Sequence, residues 1–267
     1  MGELVFVGLG LRSEKSMTLQ GVEEAKTAEK AFAEFYTSLM PELSIPNLEK
    51  LVGKGITILS RKDLEDDCAK KVLEAAEKGK AVLLVPGDPL IATTHVDLCI
   101  RAKKQGINTR IVHGASVISA VIGLSGLQNY KFGRNVTVPF TDRDVVADTA
   151  YNVIEENKKR GLHTLCFLDL KAEEKRYMNV NEGLQALLNV EQQKHKRAVT
   201  SDTIAVGIAQ AGSHSPVVKA DTVKALIKYD FGPPLHTIVF PGKLHFMEAE
   251  ALIVLAGAPK SIKELIE

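Results

Sequence analysis

The stretch AVLLVPGDPLIATTH, residues 81–95 of this 267-residue sequence, gives the clearest indication of the fold class. Five consecutive apolar residues predict a buried strand over 81–85. Two prolines fix φ on either side of Gly87 and Asp88, which predicts a rigid turn where that strand ends. A helix is expected to follow over 93–105. The stretch therefore has the strand–turn–helix pattern of an α/β protein.

The same alternation extends in both directions along the first half of the chain. Strands separated by helices of 10–15 residues predict βαβ units and a mainly parallel sheet. A loop bracketed by Pro41 and Pro46 is expected to interrupt the pattern. The predicted strands are 4–7, 31–36, 56–59, 81–85 and 109–112, and the predicted helices are 18–30, 64–78, 93–105 and 116–124. Thr18 and Asp63 are the expected caps of the first two helices.

The second half predicts a further α/β layer in which some strands pair antiparallel. Its predicted strands are 136–140, 164–168, 203–209 and 236–240, and its predicted helices lie near 144–160, 181–194, 220–229 and 245–256. The boundary between the halves is expected within 113–135. The sequence therefore predicts two α/β domains, an N-terminal one over 1–112 with a mainly parallel sheet and a C-terminal one over 113–267 with a mixed sheet.

Composition excludes several classes of protein. Hydrophobic residues make up 45% and charged residues 25% of the chain, which excludes a largely disordered protein. The formal net charge of +1 argues against a general nucleic-acid binder, and no apolar run reaches the length of a membrane-spanning helix. The start of the chain does not resemble a signal peptide. Three widely spaced cysteines, Cys68, Cys99 and Cys166, predict a reduced, cytoplasmic protein.

Two glycine-containing turns are candidate ligand-binding sites. Gly8-Leu9-Gly10 follows the first predicted strand, but Ser13 stands where a dinucleotide fingerprint has its third glycine. The alternatives are contact with a nucleotide or a tight turn that closes the strand. Asp88 is suited to accept hydrogen bonds from ribose hydroxyls at the carboxyl edge of a sheet, or to bond its own backbone in an ordinary turn.

A third candidate is the segment from His113 to Ser116, which precedes a predicted helix. Its small residues permit close approach of a ligand, and the alternative is that Ser116 only caps the helix. His236 begins a strand after the rigid turn at 232–234. The seven histidines show no metal-ligand spacing, so no metal site is expected. Cys166 is interpreted as a core thiol, and the charges at 173–176 as a solvated surface.

Taken in order, these motifs resemble those of the diphthine synthases, a family of tetrapyrrole methylases that use S-adenosylmethionine. PGDP alone indicates only the wider methylase group, whereas AEFYTS, LDLKAEEKRYM and GKLHFMEAE are far more specific. The resemblance extends over nearly the whole chain. The matching segments are VGLGL at 7–11, AEFYTSLM at 33–40, VPGDPLIATTH at 85–95, HGASVISAV at 113–121, GLQNYKFG at 126–133, GLHTLCFLDLKAEEKRYM at 161–178, FGPPLH at 231–236 and PGKLHFMEAEAL at 241–252.

The resemblance implies a homodimer of two-domain α/β subunits that bind S-adenosylmethionine in the cleft between the domains. It implies methyl transfer to the amine of an aminocarboxypropyl-modified histidine on translation elongation factor 2. The compact length resembles the archaeal type, for which trimethylation to diphthine is expected. Two alternatives are a methylase that acts on a corrinoid precursor and a non-catalytic module that binds a nucleotide or the translation factor.

Carried over by motif, the resemblance also implies a set of cofactor contacts. They are Leu11, Asp88, Ile91, Ser116, Val117, Leu168, Ala211 and His236. No metal and no particular catalytic residue is implied. Gly114 departs from the asparagine expected in relatives, and it is expected to loosen its loop.

Overall fold

The computed structural model describes residues 2–141 and 146–266 of the chain. It divides into two compact units. The first comprises residues 2–117 with 172–174, and the second comprises the remaining described residues from 118 onward. Among the described residues, no helix is long and apolar enough to cross a membrane.

The first unit contains a five-stranded sheet in which every neighbouring pair of strands is parallel, as predicted. The strand order is β3-β2-β4-β1-β5. The strands are β1 (Glu3–Gly8), β2 (Lys30–Glu34), β3 (Ile56–Leu59), β4 (Lys80–Val85) and β5 (Asn108–Val112). The helices are α1 (Leu19–Thr27), α2 (Ile45–Val52), α3 (Arg61–Leu64), α4 (Lys70–Lys78) and α5 (Val96–Lys104).

The central strands β1 and β4 are buried on both faces. Phe6 and Leu83 belong to the hydrophobic core on one face of the sheet, and Val7 and Leu84 belong to the core on the other. A parallel strand covered on both faces has no polar face, so its sequence is a continuous apolar run. This explains why the continuous apolar run at 81–85 predicts a buried strand.

Two local predictions in the first unit are wrong. The loop expected between Pro41 and Pro46 contains the start of α2, in which Ser44 caps the helix and Pro46 lies in the first turn. Proline is tolerated there because the first N–H groups of a helix have no intrahelical partner. The helix predicted over 64–78 is divided into α3 and α4 by two residues with left-handed backbone, Cys68 and Ala69. Its expected cap, Asp63, lies inside α3, and Ser60 caps that helix instead.

The second unit contains a mixed five-stranded sheet of order β11-β10-β12-β7-β6, as predicted for this half. Only the β6–β7 pair among these is parallel. The strands of this sheet are β6 (Val136–Val138), β7 (Thr164–Leu168), β10 (Ile204–Ala209), β11 (Val217–Thr222) and β12 (His236–Phe240). A separate antiparallel pair is formed by β8 (Leu170–Lys171) and β9 (Arg176–Tyr177). The helices are α6 (Val117–Ser125), α7 (Asp148–Lys159), α8 (Val180–Lys194), α9 (Val223–Leu226) and α10 (Phe246–Ala256).

The prediction of a helix over 220–229 is partly wrong. The helix predicted over 144–160 begins outside the described residues. Residues 217–222 form the edge strand β11, which pairs with β10, and only Val223–Leu226 are helical in α9. Of the residues in β11, Ala220 alone is fully buried. An edge strand with little burial lacks the apolar run that predicts a strand, so pairing with β10 decides its structure.

A buried polar cluster joins α10 to the start of β7. Gly242 donates its N–H to His163 Nδ1 over 2.9 Å, so Nε2 carries the hydrogen and donates to Glu248 Oε1 over 3.0 Å. Lys131 Nζ donates to the other carboxylate oxygen of Glu248 over 3.0 Å. His163 and Glu248 are at most 1% exposed. The cluster therefore connects three segments of the family resemblance, 126–133, 161–178 and 241–252, as a support for the second unit.

The electrostatics of this cluster favour neutral His163 and ionised Glu248. Burial lowers the pKa of His163. Burial also opposes ionisation of Glu248, but the N–H groups of Gln128 and His245 and the ammonium of Lys131 outweigh it and hold the pKa of Glu248 below its ordinary value. A buried carboxylate is tolerated when its lone pairs are hydrogen-bonded in this way.

We expect Glu248→Ala to lower the free energy of unfolding by about 3 kcal/mol, because it leaves buried donors without an acceptor. Urea denaturation measures the change. Glu156→Ala on the exposed side of α7, in the same unit, is the matched control and should change stability by less than about 0.5 kcal/mol. Equal effects of the two substitutions would show that the buried cluster contributes nothing specific.

Candidate functional site

The candidate site of the first unit lies where three adjacent parallel strands end. β1 pairs with β4 and with β5, so their carboxyl ends share one edge of the sheet. Gly8 lies opposite Val85, and Val7 lies opposite Val112. The loops after β1, β4 and β5, which carry the three candidate motifs, therefore start side by side. Ligands of open α/β sheets bind at this edge.

Three glycines at this edge approach more closely than side chains would allow. A Cβ added to Gly114 would lie 2.3 Å from the carbonyl oxygen of Gly87, and one added to Gly8 would lie 2.5 Å from the same oxygen. Both distances are shorter than any real Cβ contact, so positions 8 and 114 require glycine with this backbone. The expectation that Gly114 loosens its loop is therefore wrong, since Gly114 permits the tight contact.

The turn after β1 and the PGDP turn are also joined by two backbone hydrogen bonds. Gly10 N–H donates to the Gly87 carbonyl over 3.1 Å, and Gly87 N–H donates to the Gly10 carbonyl over 2.7 Å. Both glycines have positive φ, +74° and +70°. The two motifs therefore form one rigid unit.

Asp88 is buried within the PGDP turn and uses both carboxylate oxygens. Oδ1 accepts the backbone N–H of Leu90 at 3.2 Å, which is the ordinary turn interaction. Oδ2 lies 2.7 Å from His113 Nδ1. Asp88 is 6% exposed, whereas 76% of the His113 side chain is exposed. The pair thus places a solvated imidazole ring on a buried carboxylate at the edge of the sheet.

Small residues and Ser116 make 113–116 a candidate segment in the sequence, but the pairing of His113 with Asp88 is not predicted. The two residues are 25 positions apart. No local pattern indicates the contact, because it depends on β4 and β5 both flanking β1.

The other predicted cofactor residues of this unit lie around the same edge. Leu11 is half-buried and directly follows the Gly10 turn. Ile91 is 43% exposed, and its N–H donates to the carbonyl of Asp88 over 3.4 Å. Ser116 immediately precedes α6, and Val117 is the first residue of that helix. The structure thus brings the five predicted residues of the first unit to the three loops at one edge.

A buried acidic group at the end of β2 lies near the PGDP turn. Glu34 accepts hydrogen bonds from the backbone N–H groups of Tyr36 and Thr37 at 3.0 and 3.1 Å. Burial raises the pKa of Glu34 to about 7, although these bonds oppose the rise. His95 Nε2 lies 3.8 Å from Glu34, and the ring Nδ1 lies 3.2 Å from the carbonyl of Pro89. The AEFYTS and PGDP segments therefore meet beneath the site through His95.

In the second unit, the three predicted residues lie at one edge of the mixed sheet. Leu168 ends β7, His236 begins β12, and Ala211 follows β10 by two residues. His236 pairs with Ala209, and the next residue of β12, Thr237, pairs with Phe167 of β7.

The ring of His236 is held as a neutral tautomer. Nδ1 accepts the N–H of Val180 at 3.3 Å, so Nε2 carries the hydrogen and faces the carbonyls of Gly232 and Pro233 at 3.1 and 3.0 Å. Burial lowers the pKa of His236. The ring thus stabilises the 231–236 turn and sets the start of β12.

Other candidate groups lie outside these edges. Cys166 is fully buried in β7, and burial raises the pKa of its thiol, so its interpretation as a core residue is confirmed. The solvated surface expected at 173–176 holds for Glu173 through Lys175, but Arg176 stacks 3.9 Å from the centre of the Phe140 ring. Within residues 2–141 and 146–266, no group of three acidic, histidine or cysteine residues could hold a metal ion.

The chain is similar to one protein family in sequence and in structure. Residues 3–226 match the family of Tetrapyrrole (Corrin/Porphyrin) Methylases. The diphthine synthase of Methanocella arvoryzae is 48% identical over 254 residues, which cover 95% of this chain and 98% of that protein. The diphthine synthase of Methanococcoides burtonii is 49% identical over 269 residues, covering 99% and 100% respectively. A crystal structure of diphthine synthase superimposes with a TM-score of 0.89 at 41% identity, covering 98% of this chain and 99% of that one.

We expect Gly114→Ala to displace the PGDP turn, because the new Cβ would overlap the Gly87 carbonyl and backbone cannot yield as a flexible side chain does. The measured result should be a loss of at least about 1 kcal/mol in unfolding free energy. Gly55→Ala is the matched control, since its Cβ would meet only an ordinary contact. An unchanged stability in Gly114→Ala would contradict the close packing.

Proposed function

This chain belongs to the tetrapyrrole methylases and, within them, to the diphthine synthase family, and on that premise we propose the chemistry of its site. It is an S-adenosylmethionine-dependent methyltransferase of diphthamide biosynthesis. Identity of 48–49% to curated diphthine synthases over nearly the whole chain is the observation that carries this conclusion.

The acceptor that we propose is the amine of an aminocarboxypropyl-modified histidine on elongation factor 2, which is trimethylated to diphthine. The similarity of this chain in length and sequence to archaeal diphthine synthases supports three transfers. A corrinoid precursor is a weaker candidate, because the segments specific to diphthine synthases are present. A non-catalytic binding module is disfavoured by the complete set of family motifs.

The proposed cofactor set is Leu11, Asp88, Ile91, Ser116, Val117, Leu168, Ala211 and His236. In the first unit, the glycine contacts at 8, 87 and 114 support this proposal, since they leave the backbone of the turns without side chains at the sheet edge. Asp88 is suited to accept a hydrogen bond from a ribose hydroxyl through a remaining lone pair. The rigid turn holds that carboxylate in place before a ligand binds.

S-adenosylmethionine, when bound, supplies a methyl group already activated by a positively charged sulfur. The protein therefore needs to orient the acceptor amine and to receive its proton. Neither task requires a metal ion, and we propose none.

We also propose a homodimer, supported by an exposed apolar face on α10. Val254 and Leu255 are 70% and 66% exposed, and Phe246 and Met247 are more than half exposed. The opposite side of the helix, which includes Leu252, is buried in its own unit. Four large apolar residues on the exposed side of one helix are suited to a second covering surface, and we assign that surface to a second copy of the chain.

We expect Val254→Asp to convert the dimer to a monomer, because it would place a charge in the apolar interface. Sedimentation equilibrium measures the change from twice the chain mass to the single mass. Leu19→Asp is the control, since Leu19 is 84% exposed at the first turn of α1, outside the face on α10. A dimer that survives Val254→Asp would place the interface elsewhere.

We propose that the protein is located in the cytoplasm. Cys68, Cys99 and Cys166 are free thiols, as expected for a protein in a reducing environment.

The test of the function is mass spectrometry of elongation factor 2 that carries the aminocarboxypropyl histidine, after incubation with this protein and S-adenosylmethionine. We expect a gain of three methyl masses. Four would indicate the eukaryotic-type product. No gain with retained S-adenosylhomocysteine binding would move the acceptor elsewhere, and loss of both would overturn the assignment.

Asp88→Ala in the same assays should weaken S-adenosylhomocysteine binding by about 10-fold or more, because a charged hydrogen-bond acceptor is removed. Calorimetry measures the affinity. Asp66→Ala, on an exposed loop of the same unit, is the control. Unchanged affinity in Asp88→Ala would exclude Asp88 from the cofactor set.

A further inference from the structure

The proposed reaction needs a proton acceptor that neither the motifs nor the family resemblance assigns. An alkylamine is protonated near neutral pH, as a lysine side chain is. An ammonium nitrogen has no lone pair with which to attack a methyl group. Three successive transfers to one nitrogen require the loss of three protons, one before each transfer.

We propose that His113 is the catalytic base that takes these protons at Nε2, and that Asp88 is the positioning residue that holds its ring. This inference rests on the proposed function, because it presupposes an amine as the acceptor. It adds a role for His113 and a second role for Asp88 beyond cofactor contact.

The hydrogen-bond geometry determines which ring nitrogen is available. Asp88 accepts the backbone N–H of Leu90, and its other oxygen lies 2.7 Å from His113 Nδ1. A carboxylate has no hydrogen to donate, so Nδ1 carries the ring hydrogen. The lone pair of the neutral imidazole is therefore on Nε2, which faces away from Asp88 and is available to accept a proton.

Exposure separates His113 from the buried histidines. A base that works repeatedly must return each proton to water, and 76% of the His113 side chain is exposed. His95, His163 and His236 are at most 6% exposed. Their rings bond backbone or buried carboxylate, so they are suited to support rather than to proton exchange.

The remaining exposed histidines lack the carboxylate partner. His195 and His214 have no side-chain hydrogen bond among the described residues, and His245 Nδ1 accepts the N–H of Met247 within its own helix cap. All seven histidines of the chain lie in described residues, so His113 alone combines an exposed ring with a hydrogen-bonded carboxylate.

The position of His113 follows from the packing of the strand ends. It directly follows Val112, the last residue of β5, and precedes Gly114, which contacts Gly8 and Gly87. The ring is therefore held next to the PGDP turn, beside a proposed cofactor contact. The hydrogen bond to Asp88 orients the ring before the acceptor arrives.

The proton balance of each cycle is complete without a further reactant. The acceptor N–H bond breaks, its electron pair stays on nitrogen, and the proton forms an N–H bond at His113 Nε2. The imidazolium then gives that proton to water. The acceptor nitrogen exchanges one proton for one methyl group per cycle, so three cycles release three protons.

The test uses His113→Asn in the full-length protein, with elongation factor 2 carrying the aminocarboxypropyl histidine as substrate. The asparagine amide preserves a donor toward Asp88 but removes the Nε2 base. We expect kcat to fall about 100-fold or more while S-adenosylhomocysteine affinity by calorimetry changes less than about twofold. His195→Asn, at the exposed left-handed C-cap of α8, should match the wild type.

Rescue by added imidazole in His113→Ala distinguishes a base from a structural residue. We expect the methylation rate of that variant to rise with the concentration of imidazole base, and that of the wild type to stay constant. Full activity of His113→Asn overturns the proposal while leaving the proposed function intact. If the His113 variants lose S-adenosylhomocysteine binding and imidazole does not restore activity, the proposal is also overturned, because His113 then only supports the turn. An inactive wild type overturns the function itself.

Discussion

The contact of three glycine backbones at the ends of β1, β4 and β5 is the constraint on which the first unit depends. The Gly87 carbonyl lies where a side chain on Gly8 or Gly114 would have to stand. Because this packing leaves no freedom, the PGDP turn keeps one position relative to the sheet. Asp88, and through it His113, takes its place from that turn.

The segments of the family resemblance serve two different purposes in the structure. Those at 7–11, 85–95 and 113–121 form the edge at which we place the cofactor. Those at 126–133, 161–178 and 241–252 contribute Lys131, His163 and Glu248 to a buried cluster. The residues of a family motif can thus stabilise the fold instead of binding the cofactor.

Burial likewise separates the histidines that support the fold from the one to which we assign a catalytic role. A buried imidazole with its pKa lowered, as in His163 or His236, acts as a neutral hydrogen-bonding group. An exposed imidazole on a buried carboxylate has a free nitrogen and access to water. The difference in solvent contact, and not the residue type, supports a catalytic role for His113.

The sequence by itself determined the two α/β halves, the central strands and the rigid PGDP turn, because continuous apolar runs and proline dihedrals act over a few residues. The eight proposed cofactor residues came from the family motifs. Only the tertiary structure decided that 217–222 is a strand, that Gly114 tightens its loop and that His113 contacts Asp88. Each of these depends on strand order and register, which bring together residues that no local pattern relates.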